Sequence, residues 1–72
     1  MNADMYVDTL SKYAMKNKEK PITDSTSLRG HLGMDNFQIM QVFLDLESQG
    51  VRIDYRKMDV IDTVRDLAQI VN

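Results

Sequence analysis

Few residues in this 72-residue chain have side chains suited to chemistry. Its single histidine, His31, stands between Ser27 and Asp35, and the three together are the residue types of a nucleophilic triad. A triad works through geometry: a base in hydrogen-bond reach of the hydroxyl, a carboxylate orienting the base, and donors for the oxyanion. Nearness along the chain supplies none of these, so His31 reads as a loop histidine that packs or hydrogen-bonds. There is no cysteine, which removes disulfides, zinc-thiolate sites and thiol nucleophiles together. One histidine cannot build a His-rich metal centre. Asp24-Ser25-Thr26-Ser27 lacks the regular oxygen ligands and the glycine of a calcium-binding loop. No catalytic residue and no metal ligand is assigned.

Charge narrows the classes further. Nine Lys and Arg stand against eleven Asp and Glu, whereas a nucleic-acid reader carries a positive excess placed to meet bases or phosphates. Lys12, Lys16, Lys18 and Lys20, interrupted by Glu19, fit a solvated helix end where the C-terminal dipole favours cations. No apolar run approaches the roughly 20 residues of a membrane span, and Met1-Asn2-Ala3-Asp4 does not read as a signal peptide. With 43% hydrophobic and 28% charged residues, the chain has enough apolar content to fold rather than stay disordered. The expectation is one domain over 1–72, monomeric and cytoplasmic, with no nucleic-acid partner and no membrane insertion.

Helices must position whatever site exists. Ala3, Tyr6, Val7, Leu10, Tyr13 and Ala14 recur at helical spacing and predict a first helix over 3–16. Pro21 bars simple continuation, and 17–34 reads as a long connection anchored by Leu28 and Leu32. Loops of that length in small domains are often functional. Asp35 or Asn36 can cap the next helix, with the cap expected to be the main physical role of Asn36. That helix runs from about Asn36 to Gln49 and is apolar on nearly all sides, through Phe37, Ile39, Met40, Val42, Phe43, Leu44 and Leu46. It is expected to be the central, most buried element, ended by Gly50. Val51-Arg52-Ile53 resembles a strand but has no second strand to pair with. Residues 55–59 predict one helical turn, and Asp62 or Thr63 starts a last helix with Ile61, Val64, Leu67, Ala68 and Val71 along its stripe. The six methionines are expected to fill the core. The fold class is all-α: three main helices, one short one, and a long loop after the first.

Leu32-Gly33-Met34-Asp35-Asn36-Phe37 resembles the Leu-Gly-x-Asp-Ser-Leu signature of acyl carrier proteins. Gly50-Val51-Arg52-Ile53 is similar to that family's Gly-Ile-x-Ile element, and Ile61-Asp62-Thr63-Val64 to its Ile-x-Thr-Val. Met40, Leu44, Leu46 and Glu47 fall where the family places the apolar face and an acidic residue of its second helix. Asp35 resembles the acyl-carrying branch more than the peptidyl-carrying one.

The resemblance implies a carrier of a fatty-acid, polyketide or related acyl pathway, with two departures. Asn36 stands at the position of the serine that receives phosphopantetheine. An amide nitrogen has a delocalised lone pair and is a poor nucleophile, so no cofactor is expected as written, and phosphopantetheine only if position 36 were Ser. The helix start itself, with unpaired backbone N–H groups, would suit a phosphodiester. Ser25, Ser27 and Ser48 lie too far along the chain to substitute. The second departure is the docking face, where acyl-pathway enzymes meet the helix that starts near Asn36. Asp35, Phe37, Gln38, Gln41, Asp45 and Glu47 are the partner-binding candidates, and neutral Gln38 and Gln41 weaken attraction to basic partners. Between the second and third helices, Met40, Phe43, Leu44, Ile53, Met58 and Ile61 are the candidates to line an acyl space, expected here to be closed. The alternative is a small helical protein-interaction module that keeps the carrier fold without carrier chemistry; an unrelated helical regulator is the third class.

Overall fold

The computed structural model describes residues 3–71 of the backbone and side chains from Tyr6 to Val71. Ala3 of the expected stripe, and Met1 and Met5, lie outside the described side chains. Three α-helices, α1 (Ala3–Tyr13), α2 (Asn36–Ser48) and α3 (Val64–Gln69), are joined by loops and by a 3-10 turn over Tyr55–Lys57. Among the described residues there is no continuous strand, so the all-α fold stands, with a bundle of three main helices and one short one.

α1 stops three residues before the expected end. Ala14 N–H still reaches the Leu10 carbonyl at 2.9 Å, but the next two amides, Met15 and Lys16, donate to Leu32 O at 2.8 and 3.2 Å. The returning loop thus takes over the donors that would continue the helix. Asn17 then turns the chain with φ +57°, a left-handed conformation that asparagine tolerates better than most residues. Lys16, Lys18 and Lys20 consequently lie beyond the helix, and only Lys12 sits in its last turn, where the dipole favours a cation.

The core gathers Tyr6, Leu10 and Ala14 from α1, Leu28, Leu32 and Met34 from the connection, and Ile39, Val42, Phe43 and Leu46 from α2. Val51, Ile53, Ile61, Val64 and Leu67 complete it. Leu28 and Leu32 point inward as the sequence predicts. The all-round burial expected for α2 does not occur: Phe37 is 66% exposed and Leu44 51%. A helix buries one stripe against its neighbours. Ala68, expected in the α3 stripe, is exposed. Of the described methionines, Met34 is buried, Met40 and Met58 are half-buried, and Met15 faces solvent, so the reading of methionines as core filler holds only in part.

Two isolated antiparallel bridges stitch the bundle. Val51-Arg52-Ile53 has no second strand to pair with, as expected, but Ile53 makes a one-residue bridge with Val71, and Ser27 one with Thr63. A single residue pair is invisible to any pattern of alternation along the sequence. The connection is fastened to the start of α3 by Leu28 N–H to Asp62 O at 2.6 Å, Val64 N–H to Thr26 O at 3.1 Å and Arg65 N–H to Asp24 O at 3.0 Å.

Candidate functional site

The start of α2 is built by a reciprocal cap. Asp35, with extended backbone (φ -103°, ψ -172°), is the cap residue. Its Oδ1 accepts from Phe37 N–H at 2.9 Å and Gln38 N–H at 3.2 Å, while Gln38 Oε1 accepts from Asp35 N–H at 3.0 Å. Such a box satisfies donors that a helix start otherwise leaves unpaired. Asn36 is therefore not the cap, contrary to expectation, but the first residue inside the helix, with its side chain exposed. Two of the amides expected to await a phosphodiester are already held by the Asp35 carboxylate.

Gly33 sets up this turn. Its φ of +67° is left-handed, and an added β-carbon would lie 3.1 Å from Cγ of Lys16, whose stem crosses over it. A side chain at position 33 would be strained by its own backbone and crowded by that stem.

The other candidates divide. Phe37 is open to solvent, Gln41 is half-buried, and Gln38 is engaged in the cap. Asp45 is turned toward α1, its side chain only 12% exposed. It accepts from Lys12 Nζ at 2.9 Å, Tyr13 OH at 2.9 Å and Gln49 Nε2 at 2.8 Å. The Lys12 contact first, then Gln49 and Tyr13, hold the Asp45 carboxyl below its ordinary range. Gln49 Nε2 also donates to buried Thr9 Oγ1, so the group ties α1 to α2. Glu47, at the exposed end of the helix, accepts from the Tyr55 hydroxyl, which raises the Tyr55 pKa to about 12. That Glu47–Tyr55 link was not legible in sequence, since it joins residues of two elements with no shared periodicity.

The six residues named for an acyl space are not equivalent. Phe43, Ile53 and Ile61 are buried in the continuous core, Met40 and Met58 half-buried, and Leu44 faces outward. The Tyr55 ring stands edge-on to Phe43 at a centroid distance of 5.6 Å and 73°, covering this part of the core.

No nucleophilic triad forms. His31 Nδ1 accepts from the Ser27 backbone N–H at 2.8 Å, whereas Ser27 Oγ donates to Asp62 Oδ1 at 2.7 Å and accepts from Gly30 N–H at 2.8 Å. His31 is a hydrogen-bonding loop histidine, as read from the sequence. Ser25 Oγ lies 3.2 Å from Thr23 Oγ1 within the connection, and Ser48 Oγ donates to Asp45 O at the far end of α2. The hydroxyls are thus all placed elsewhere than the α2 start. At the α2 start Asn36 offers no hydroxyl to which a phosphopantetheine could be covalently joined.

Among the described residues no three His, Asp or Glu side chains group as a metal site, and no helix is long and apolar enough to cross a membrane.

A protein-family profile described as the phosphopantetheine attachment site matches residues 9–71, from within α1 to beyond α3. Neither the curated proteins nor the solved structures compared with the chain contain a significant match.

Proposed function

The chain belongs to the phosphopantetheine attachment site family, and from that premise we propose that it is a carrier-fold protein of a fatty-acid, polyketide or related acyl pathway that does not carry the arm. The carrying observation is Asn36 at the first position of α2, directly after Asp35 caps the helix, where the resemblance calls for a hydroxyl. An amide there neither attacks coenzyme A nor replaces a serine oxygen. The chain acts by docking on acyl-pathway enzymes through α2, as a cytoplasmic monomer and without catalysis of its own. Exposed Phe37 and Leu44, flanking Gln41 one helical turn apart on either side, support the alternative that docking alone is the function, with no cargo.

Intact mass after incubation with coenzyme A and a phosphopantetheinyl transferase tests this. The unaltered chain keeps its mass; Asn36→Ser gains one phosphopantetheine group. If that variant stays inert, Gln38→Asp and Gln41→Glu are added to restore the acidic docking face. Failure of the triple variant leaves the docking module as the better reading. A mass gain on the unaltered chain overturns the assignment of Asn36 to the attachment position.

A further inference from the structure

The connection between α1 and α2 borders a half-open cleft of about 430 Å³, away from α2. We propose that this cleft is a binding site for a small phosphate-bearing molecule. Its walls include Asn17, Lys20, Pro21, Thr23, Ser25 and His31. Lys20 supplies the only formal charge among the lining residues, and no carboxylate lines the cleft.

The polar lining is rich in donors. Because His31 Nδ1 accepts the Ser27 N–H, the ring proton sits on Nε2, leaving that nitrogen a donor. Thr23 Oγ1 lies 3.2 Å from Ser25 Oγ and 3.4 Å from Thr26 Oγ1, so two of the three hydroxyl protons are shared within this cluster and one is left to give. A cation with several O–H and N–H donors and no competing acid matches an oxyanion that presents several acceptor oxygens, which a phosphate does better than a carboxylate. The volume falls in the range of small-molecule sites, which leaves room beyond a phosphate for an organic body beside Pro21.

The walls are fixed before any ligand arrives. Asn17 Nδ2 donates to His31 O at 2.6 Å, joining the two ends of the cleft. Lys20 N–H reaches Asn17 O at 3.1 Å, and Thr26 N–H reaches Thr23 O at 3.1 Å. A site ordered in advance loses little conformational freedom on binding. None of these residues lies on α2.

The test is an amide NMR titration of the full chain with inorganic phosphate, chloride balancing the ionic strength. Saturable shifts confined to Asn17, Lys20, Thr23, Ser25 and His31 are expected, with acetate binding more weakly. Lys20→Gln should weaken phosphate roughly tenfold, the scale of one charge-assisted hydrogen bond, and Lys57→Gln should leave it unchanged. Shifts that never saturate, shifts spread equally over Lys18 and Lys57, or acetate equal to phosphate would overturn the proposal. So would full affinity in Lys20→Gln.

Discussion

Inward, α2 presents Ile39, Val42, Phe43 and Leu46; outward, it presents Phe37, Gln41 and Leu44. The residue types on the two sides are close to interchangeable, yet the first set is sealed in the core and much of the second meets water. Apolar content therefore does not say which side a helix buries; the neighbours it can reach do. α1 covers the inner side and adds the Lys12–Asp45–Gln49–Thr9 tie, while nothing described in this chain covers the outer one.

The contrast is broken most directly by trimming one leucine from each side. Leu46→Ala should cost roughly 2–5 kcal/mol, enough to unfold a domain this small, whereas Leu44→Ala should shift stability by no more than about 0.5 kcal/mol. Urea denaturation of the two variants measures both; equal losses would erase the distinction between the two sides. Of intermediate size is the cap of α3. Thr63 Oγ1 accepts from Asp66 N–H at 3.1 Å while Asp66 Oδ2 accepts from Thr63 and Asp62 N–H. Thr63→Ala should cost about 1 kcal/mol, read from the thermal midpoint by circular dichroism.

The smallest effect sharpens the inner side through pH. Hydrogen bonds from Lys12, Gln49 and Tyr13 depress the Asp45 pKa from its ordinary 3.8 in the folded state. A depressed carboxyl contributes stability that is fully present above its unfolded pKa and fades as pH falls through the folded one. Asp45→Asn should therefore lower stability near neutral pH and flatten its decline below about pH 4. Glu47, on the exposed end, should show no comparable loss when replaced by Gln. Denaturation midpoints across the acid range separate the two.

The fold was legible where local chemistry and periodicity agree. Pro21, Gly50, the start of α3 at Asp62 or Thr63, and the apolar stripe of α1 act within a few residues, so the sequence displays them. The capping residue of α2 was only half legible, because Asp35 and Asn36 are both good caps and the choice rests on backbone angles. The exposure of Leu44 and the early end of α1 were not legible. Each depends on what arrives from elsewhere in the chain: no element packed over Leu44, and a Leu32 carbonyl that intercepts two amides. At the candidate site, the missing hydroxyl of Asn36 could be read from its position in the motif. Asp45 could not be recognised as an internal tie, because Lys12 and Tyr13 lie more than thirty residues away in sequence.

The fastening of the connection to α3 bears on how the chain folds. Leu28–Asp62 and Thr26–Val64 join points separated by about half of the sequence, so their formation closes a long loop and carries its entropic cost. α1 and α2 have no such requirement for their own turns. The connection and α3 should then open and close together, as one cooperative unit, and native-state hydrogen exchange should give the Leu28 and Val64 amides the same opening free energy. A chain cut before α3 would lose the order of the connection as well as the helix, although the two are separated in sequence by the whole of α2.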